Sequence, residues 1–75
     1  MAAVRLTIPD KVVRSIRDRI GSEYDAADIA TEAVTLYNWA VGERAKGNLI
    51  LSSDESGLDM TRLSMPSIER AAPAR

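Results

Sequence analysis

The stretch Ala3-Val-Arg-Leu-Thr-Ile-Pro-Asp10, AVRLTIPD, decides how the rest of this sequence is read. Val4, Leu6 and Ile8 alternate with Ala3, Arg5 and Thr7. That period of two predicts a short strand over 3–8 with one apolar and one polar side. A lone strand leaves N–H and C=O groups unpaired along both edges, so the reading asks for a partner.

Pro9 then fits a strand end or a helix start, where its missing N–H is not needed. Asp10 faces the positive end of the following helix dipole. Val12, Val13, Ile16 and Ile20 recur at helical spacing, with Arg14, Arg17, Asp18 and Arg19 between them, and Gly21 stops the run. The spacing predicts a helix over 10–20.

Ser22-Glu-Tyr24 makes a turn, after which Asp25 caps a second helix with Asp28 three residues on, a variant of the capping box. Ile29, Ala30, Ala33, Val34, Tyr37, Ala40 and Val41 form its broad apolar face, and Gly47 is the natural stop. This helix is expected over 26–46. Gly42 inside it costs about 1 kcal/mol against Ala. Leu36 and Trp39 lie with Glu32 and Glu43 on the side away from Ile29, Ala33, Tyr37 and Ala40.

Farther on, Asn48-Leu-Ile-Leu51 is apolar and Ser53-Asp-Glu-Ser-Gly57 is a turn cluster. Leu58 and Met60 alternate, but Leu63 and Met65 fall out of phase with them, which calls for a bulge near Thr61 or Arg62. A C-terminal hairpin or partner-binding extension is expected over 48–66, and a disordered Ala/Pro/Arg-rich tail over 67–75.

Composition narrows the chemistry. The chain has 75 residues, no Cys and no His, which rules out disulfides and disfavours a transition-metal site. No glycine-rich phosphate loop occurs, and no Ser is paired with a base. The expectation is a protein that is not an enzyme, with no cofactor, no metal and no small-molecule substrate. No apolar run suits a membrane span or a signal peptide, so a cytoplasmic, membrane-free location is expected. At this size a chain buries little surface alone, and association with a second copy is the expected remedy. The net charge of −1 hides a gradient: residues 1–20 carry five basic and two acidic groups, and the remainder five basic and nine acidic. An anion-binding surface is therefore expected within the first twenty residues.

The order of strand, three-turn helix, Gly-containing turn and longer helix resembles the ribbon-helix-helix family of DNA-binding proteins, the Arc, MetJ and CopG type. VRLTIPDKVV at 4–13, Gly21, and DAADIATEAVTLY at 25–37 carry the resemblance. It implies a mainly α fold with a short N-terminal strand, a ribbon-helix-helix domain over 1–47, and a homodimer whose paired strands enter the major groove. Val4, Leu6, Ile8, Ile29, Ala33 and Tyr37 would then form the dimer interface. Ala3, Arg5, Thr7 and Lys11 would face operator DNA, with Arg5 giving bidentate bonds to guanine and Thr7 touching a base edge. A phosphate would rest near Asp25, Ala26 and Ala27, on the backbone N–H groups of the second helix.

Two functions stay open. One is a dimeric transcriptional regulator binding operator DNA, possible antitoxins included, since many members of that family are antitoxins. The other is an antiactivator or adaptor on the same scaffold that masks a transcriptional activator or a toxin, with weak or no DNA binding. The second is motivated by Ala3 and by the acidic Glu23, Asp25 and Asp28 around the phosphate position. Leu36, Trp39, Leu49 and Leu51 would be its partner-binding residues, because exposed Trp is enriched at such contacts.

Overall fold

A computed structural model describes residues 3–74. Its elements are α1 (Asp10–Ile20), α2 (Ala26–Ala45), β1 (Leu51–Ser53), β2 (Met60–Arg62) and α3 (Pro66–Glu69). The chain divides into two compact units, one up to Ala33 and one from Val34, so the boundary falls inside α2.

The first regular element is a helix, not a strand. Residues 3–9 pair with no other segment among the described residues, and both strands lie in the C-terminal half. This overturns the expected N-terminal strand over 3–8, and with it the ribbon-helix-helix homodimer as the fold class. The physical reason is the one the alternation raised: a strand exists through its ladder of hydrogen bonds, and apolar alternation supplies none of them. Among the described residues the fold is three helices with a two-stranded antiparallel sheet.

In the first unit, α1 starts at Pro9, whose carbonyl accepts the N–H groups of Val12 (3.0 Å) and Val13 (3.3 Å). It ends where the Gly21 N–H reaches the Arg17 carbonyl at 2.9 Å. Gly21 has φ 113°, a conformation that a Cβ disfavours, and a Cβ there would meet the Glu23 carboxylate. The helix start at Asp25 is the reciprocal cap expected from the residues. Asp28 N–H donates to Asp25 Oδ1 at 2.9 Å, and Asp25 N–H donates to Asp28 Oδ2 at 3.3 Å. Ile29 is the buried hydrophobic side chain described in this unit.

The second unit holds a small core. Ala40, Ile50 and Ile68 are buried together with Val41 packed against them, and Ile68 is the most enclosed at 1% exposure. The hairpin is regular, with Leu51 opposite Arg62, Ser52 opposite Thr61 and Ser53 opposite Met60. No bulge intervenes at Thr61 or Arg62, contrary to expectation. The phase conflict is instead absorbed by exposure: Leu58 stays in the turn and Met60 in the strand, both in solvent. With no face of the ribbon fully covered, nothing forces the chain to re-register.

The tail also departs from expectation. Pro66 occupies the first turn of α3, where its missing N–H costs nothing, and Ile68 drops into the core. A one-turn helix has too little local stability to persist alone; burial of one aliphatic side chain contributes about 1.5–3 kcal/mol and holds it.

Candidate functional site

The N-terminal unit carries the residues assigned to DNA. Ala3, Arg5, Thr7 and Lys11 are all exposed. Arg5, Lys11 and Arg14 make no hydrogen bond or ion pair with another described residue. Arg17 and Arg19 are committed locally, Arg17 Nη2 to the Ser22 carbonyl at 2.8 Å and Arg19 Nη1 to Ser15 Oγ at 3.1 Å. Three cations on this unit are thus open to an outside anion.

Val4, Leu6 and Ile8 do come together. With Asp10 and Val13 of α1 and Ala26, Ala27 and Ala30 of α2, they line a cleft of about 450 Å³. The side chains alternating with them, Ala3, Arg5 and Thr7, are exposed. The apolar set of the alternation therefore shares one cleft, although no sheet is formed. Val4 nonetheless remains 82% exposed, so the cleft covers these side chains only in part.

The N-terminus of α2 is less inviting to a phosphate. Asp25 and Asp28 already accept each other's N–H groups. The Asp28 N–H, chief among these bonds, holds the Asp25 carboxyl below its ordinary pKa, with smaller help from Ala27 N–H and the Arg17 charge. An incoming anion at Asp25 and Ala26 meets the Asp25 carboxylate, whose ionised form these bonds favour. Glu23 adds a further negative charge nearby in sequence.

The other assigned residues scatter. Ile29 is buried, Ala33 is exposed, and Tyr37 is hydrogen-bonded through its hydroxyl to Ser67 Oγ of α3. Leu36, Trp39, Leu49 and Leu51 are all at least half exposed, with Trp39 at 54%. Leu36 and Trp39 share one turn of α2, while Leu49 precedes and Leu51 opens β1.

Sequence reasoning missed a charged cluster in the second unit. Glu69 Oε1 accepts from Arg44 Nη2 at 3.1 Å and from Arg62 Nη2 at 2.8 Å. Arg44 Nη1 also donates to the Asn48 carbonyl at 2.9 Å. Arg44 is 9% exposed, and its Nε and Glu69 Oε2 lack hydrogen-bond partners. The available signal was Pro66-Ser-Ile-Glu69, a proline-started turn with an aliphatic and an acid, which the surrounding Ala and Pro residues obscured.

The hairpin turn is self-contained. Asp54 Oδ1 accepts the N–H groups of Leu58 and Asp59, both at 3.1 Å, and Oδ2 accepts the Ser56 hydroxyl at 2.8 Å. These bonds, the Asp59 N–H first, hold the Asp54 carboxyl below its ordinary pKa. Glu43 is likewise held low, first by the Asn48 side-chain amide and then by Lys46. Among the described residues, no grouping of His, Cys, Asp or Glu suits a metal ion, and no helix is long and apolar enough to cross a membrane.

Compared with known proteins, the chain matches no family model, no curated protein and no solved structure.

Proposed function

We propose that this chain is a binding protein, a regulator that engages operator DNA through its N-terminal segment and self-associates to do so. The observation that carries this reading is the trio of exposed cations, Arg5, Lys11 and Arg14, left without partners among the described residues. Unpaired Arg and Lys release counterions from the phosphate backbone when they bind, which supplies sequence-independent affinity. Arg5 and Thr7, exposed beside the cleft-lining Val4, Leu6 and Ile8, are suited to reach base edges. The partly covered cleft favours a second copy as the first partner, since association removes apolar surface from water.

The reading is tested by fluorescence anisotropy with the DNA upstream of the gene, at low salt. Binding is expected, weakening at least about tenfold on Arg5→Ala, the loss of one good base contact. Absence of binding at low salt, or an Arg5→Ala variant with unchanged affinity, sinks it. Light scattering at tens of micromolar protein reports the association state.

A second reading is favoured by Leu36 and Trp39, which place an exposed aliphatic and an exposed Trp on one turn of α2. A large exposed aromatic flanked by apolar surface is the composition of a protein-binding hot spot. Here the chain is an antiactivator, adaptor or antitoxin that masks a regulator or toxin. Recovery of one stoichiometric protein partner from the native host, lost on Trp39→Ser, supports it; a partner that still binds the Trp39→Ser variant does not.

A further inference from the structure

From the seating of α3 we infer that the face of α2 and the hairpin beneath it is a docking site for a short acidic segment of another protein, held shut by the chain's own residues 66–69. The ligand chemistry is an aliphatic residue followed directly by a carboxylate. The resident segment displays it: Ile68 fills the space against Ala40, Val41 and Ile50, and Glu69 meets Arg44 and Arg62. Ser67 adds a hydroxyl contact to Tyr37.

Two features mark the resident as a replaceable ligand. It is a single turn of helix, too short to hold its shape away from its seat. It also fits the charged end of the site incompletely. Glu69 spends one oxygen on two arginines, while its Oε2 and the Arg44 Nε stay buried without partners. A guanidinium binds a carboxylate best through two parallel N–H···O bonds. A carboxylate arriving from outside is free to take that fork on Arg44, using the Nε that Glu69 leaves idle. The tether of the resident offsets this advantage, since an attached ligand competes at an effective concentration on the order of millimolar. The site is therefore closed by default and opens to a partner that supplies the better-oriented acid.

The test uses the full chain and a fluorescein-labelled peptide of residues 64–72. Glu69→Gln keeps the shape of α3 and weakens its charged contact. The labelled peptide is expected to bind the Glu69→Gln chain on the order of tenfold tighter than the wild-type chain, and a peptide carrying the same Glu69→Gln change is expected to lose that gain. Adding Arg44→Met to the Glu69→Gln chain removes the binding. On the wild-type chain, excess unlabelled peptide speeds hydrogen exchange at the Glu69 N–H, which bonds to the Met65 carbonyl at 2.9 Å when α3 is seated. The exchange readout needs no variant to fold. Equal affinity for the wild-type and Glu69→Gln chains, no binding to either, or exchange unaltered by peptide overturns the proposal. So does a dimer that Glu69→Gln dissolves, because the seat would then belong to a second copy.

Discussion

The units before and after the middle of α2 each contain five Lys or Arg residues, yet they use them in opposite ways. In the second, Arg44 and Arg62 converge on Glu69, and Lys46 pairs with Glu43 at 3.2 Å. In the first, Arg5, Lys11 and Arg14 make no such pairing among the described residues. Apolar groups follow this division only in part, since Leu36 and Trp39 of the second unit stay exposed. Ala40, Ile50 and Ile68 form a closed cluster in the second unit, whereas Val4 and Leu6 line an open cleft in the first. A region whose arginines close on its own acid beside a buried aliphatic cluster draws stability from within. A region whose Arg5, Lys11 and Arg14 stay open beside an uncovered cleft is available to something else, and the proposed DNA contact rests there.

If the second unit is where internal stability resides, its anchor is the place to break it. Ile68→Ala removes the most enclosed side chain and is expected to cost about 2–4 kcal/mol. Denaturant unfolding followed by circular dichroism measures this, and a cost near zero would dissolve the contrast between the two units.

Next in size is Arg44→Ala, expected to cost about 1.5–3 kcal/mol by removing charged hydrogen bonds from a nearly buried position. Arg62→Ala, on a half-exposed partner of the same carboxylate, is expected to cost under about 1 kcal/mol. A double-mutant cycle with Glu69→Gln sharpens the comparison by isolating each pair.

Gly47→Ala tests the turn after α2. The residue has φ 91°, and its N–H bonds to the Arg44 carbonyl at 2.9 Å. Open space surrounds the position, so the cost is backbone strain alone, about 1–2 kcal/mol.

Acid affects both units in the same direction. Asp25, Glu43 and Asp54 are each held below their ordinary pKa by hydrogen bonds to the ionised form. Folded values below unfolded ones mean that the stability they contribute is complete above the ordinary carboxylate range. It is lost as pH falls through the folded values. Thermal unfolding is expected to move to lower temperature below about pH 4, less steeply in Asp54→Asn, whose carboxyl can no longer titrate. A midpoint independent of pH from 6 to about 3 contradicts it.

The smallest expected effect is at the surface. Leu58→Ser, on a side chain 87% exposed in the hairpin turn, is expected to change stability by less than about 0.5 kcal/mol. A larger loss would mean that Leu58 is covered in solution by a second molecule.

What the residues alone determined is local. The helix at 10–20 and the one at 26–46 appear as Asp10–Ile20 and Ala26–Ala45, because i, i+3 and i, i+4 neighbours, Gly21 and the Asp25–Asp28 cap all act within a few residues of chain. The hairpin was legible for the same reason, its turn being wired by Asp54 to residues two to five positions away. Val4, Leu6 and Ile8, the apolar set of the alternation, do line one cleft. Tertiary structure alone decided whether AVRLTIPD became a strand. Alternation specifies which side chains share a face but not whether another backbone lies alongside, and none of the described segments does. It also decided the fate of Pro66–Glu69, too short to be helical by itself. Its order depends on Tyr37, Ala40 and Arg44, some 25 to 30 residues earlier in the chain, where no local pattern can reach.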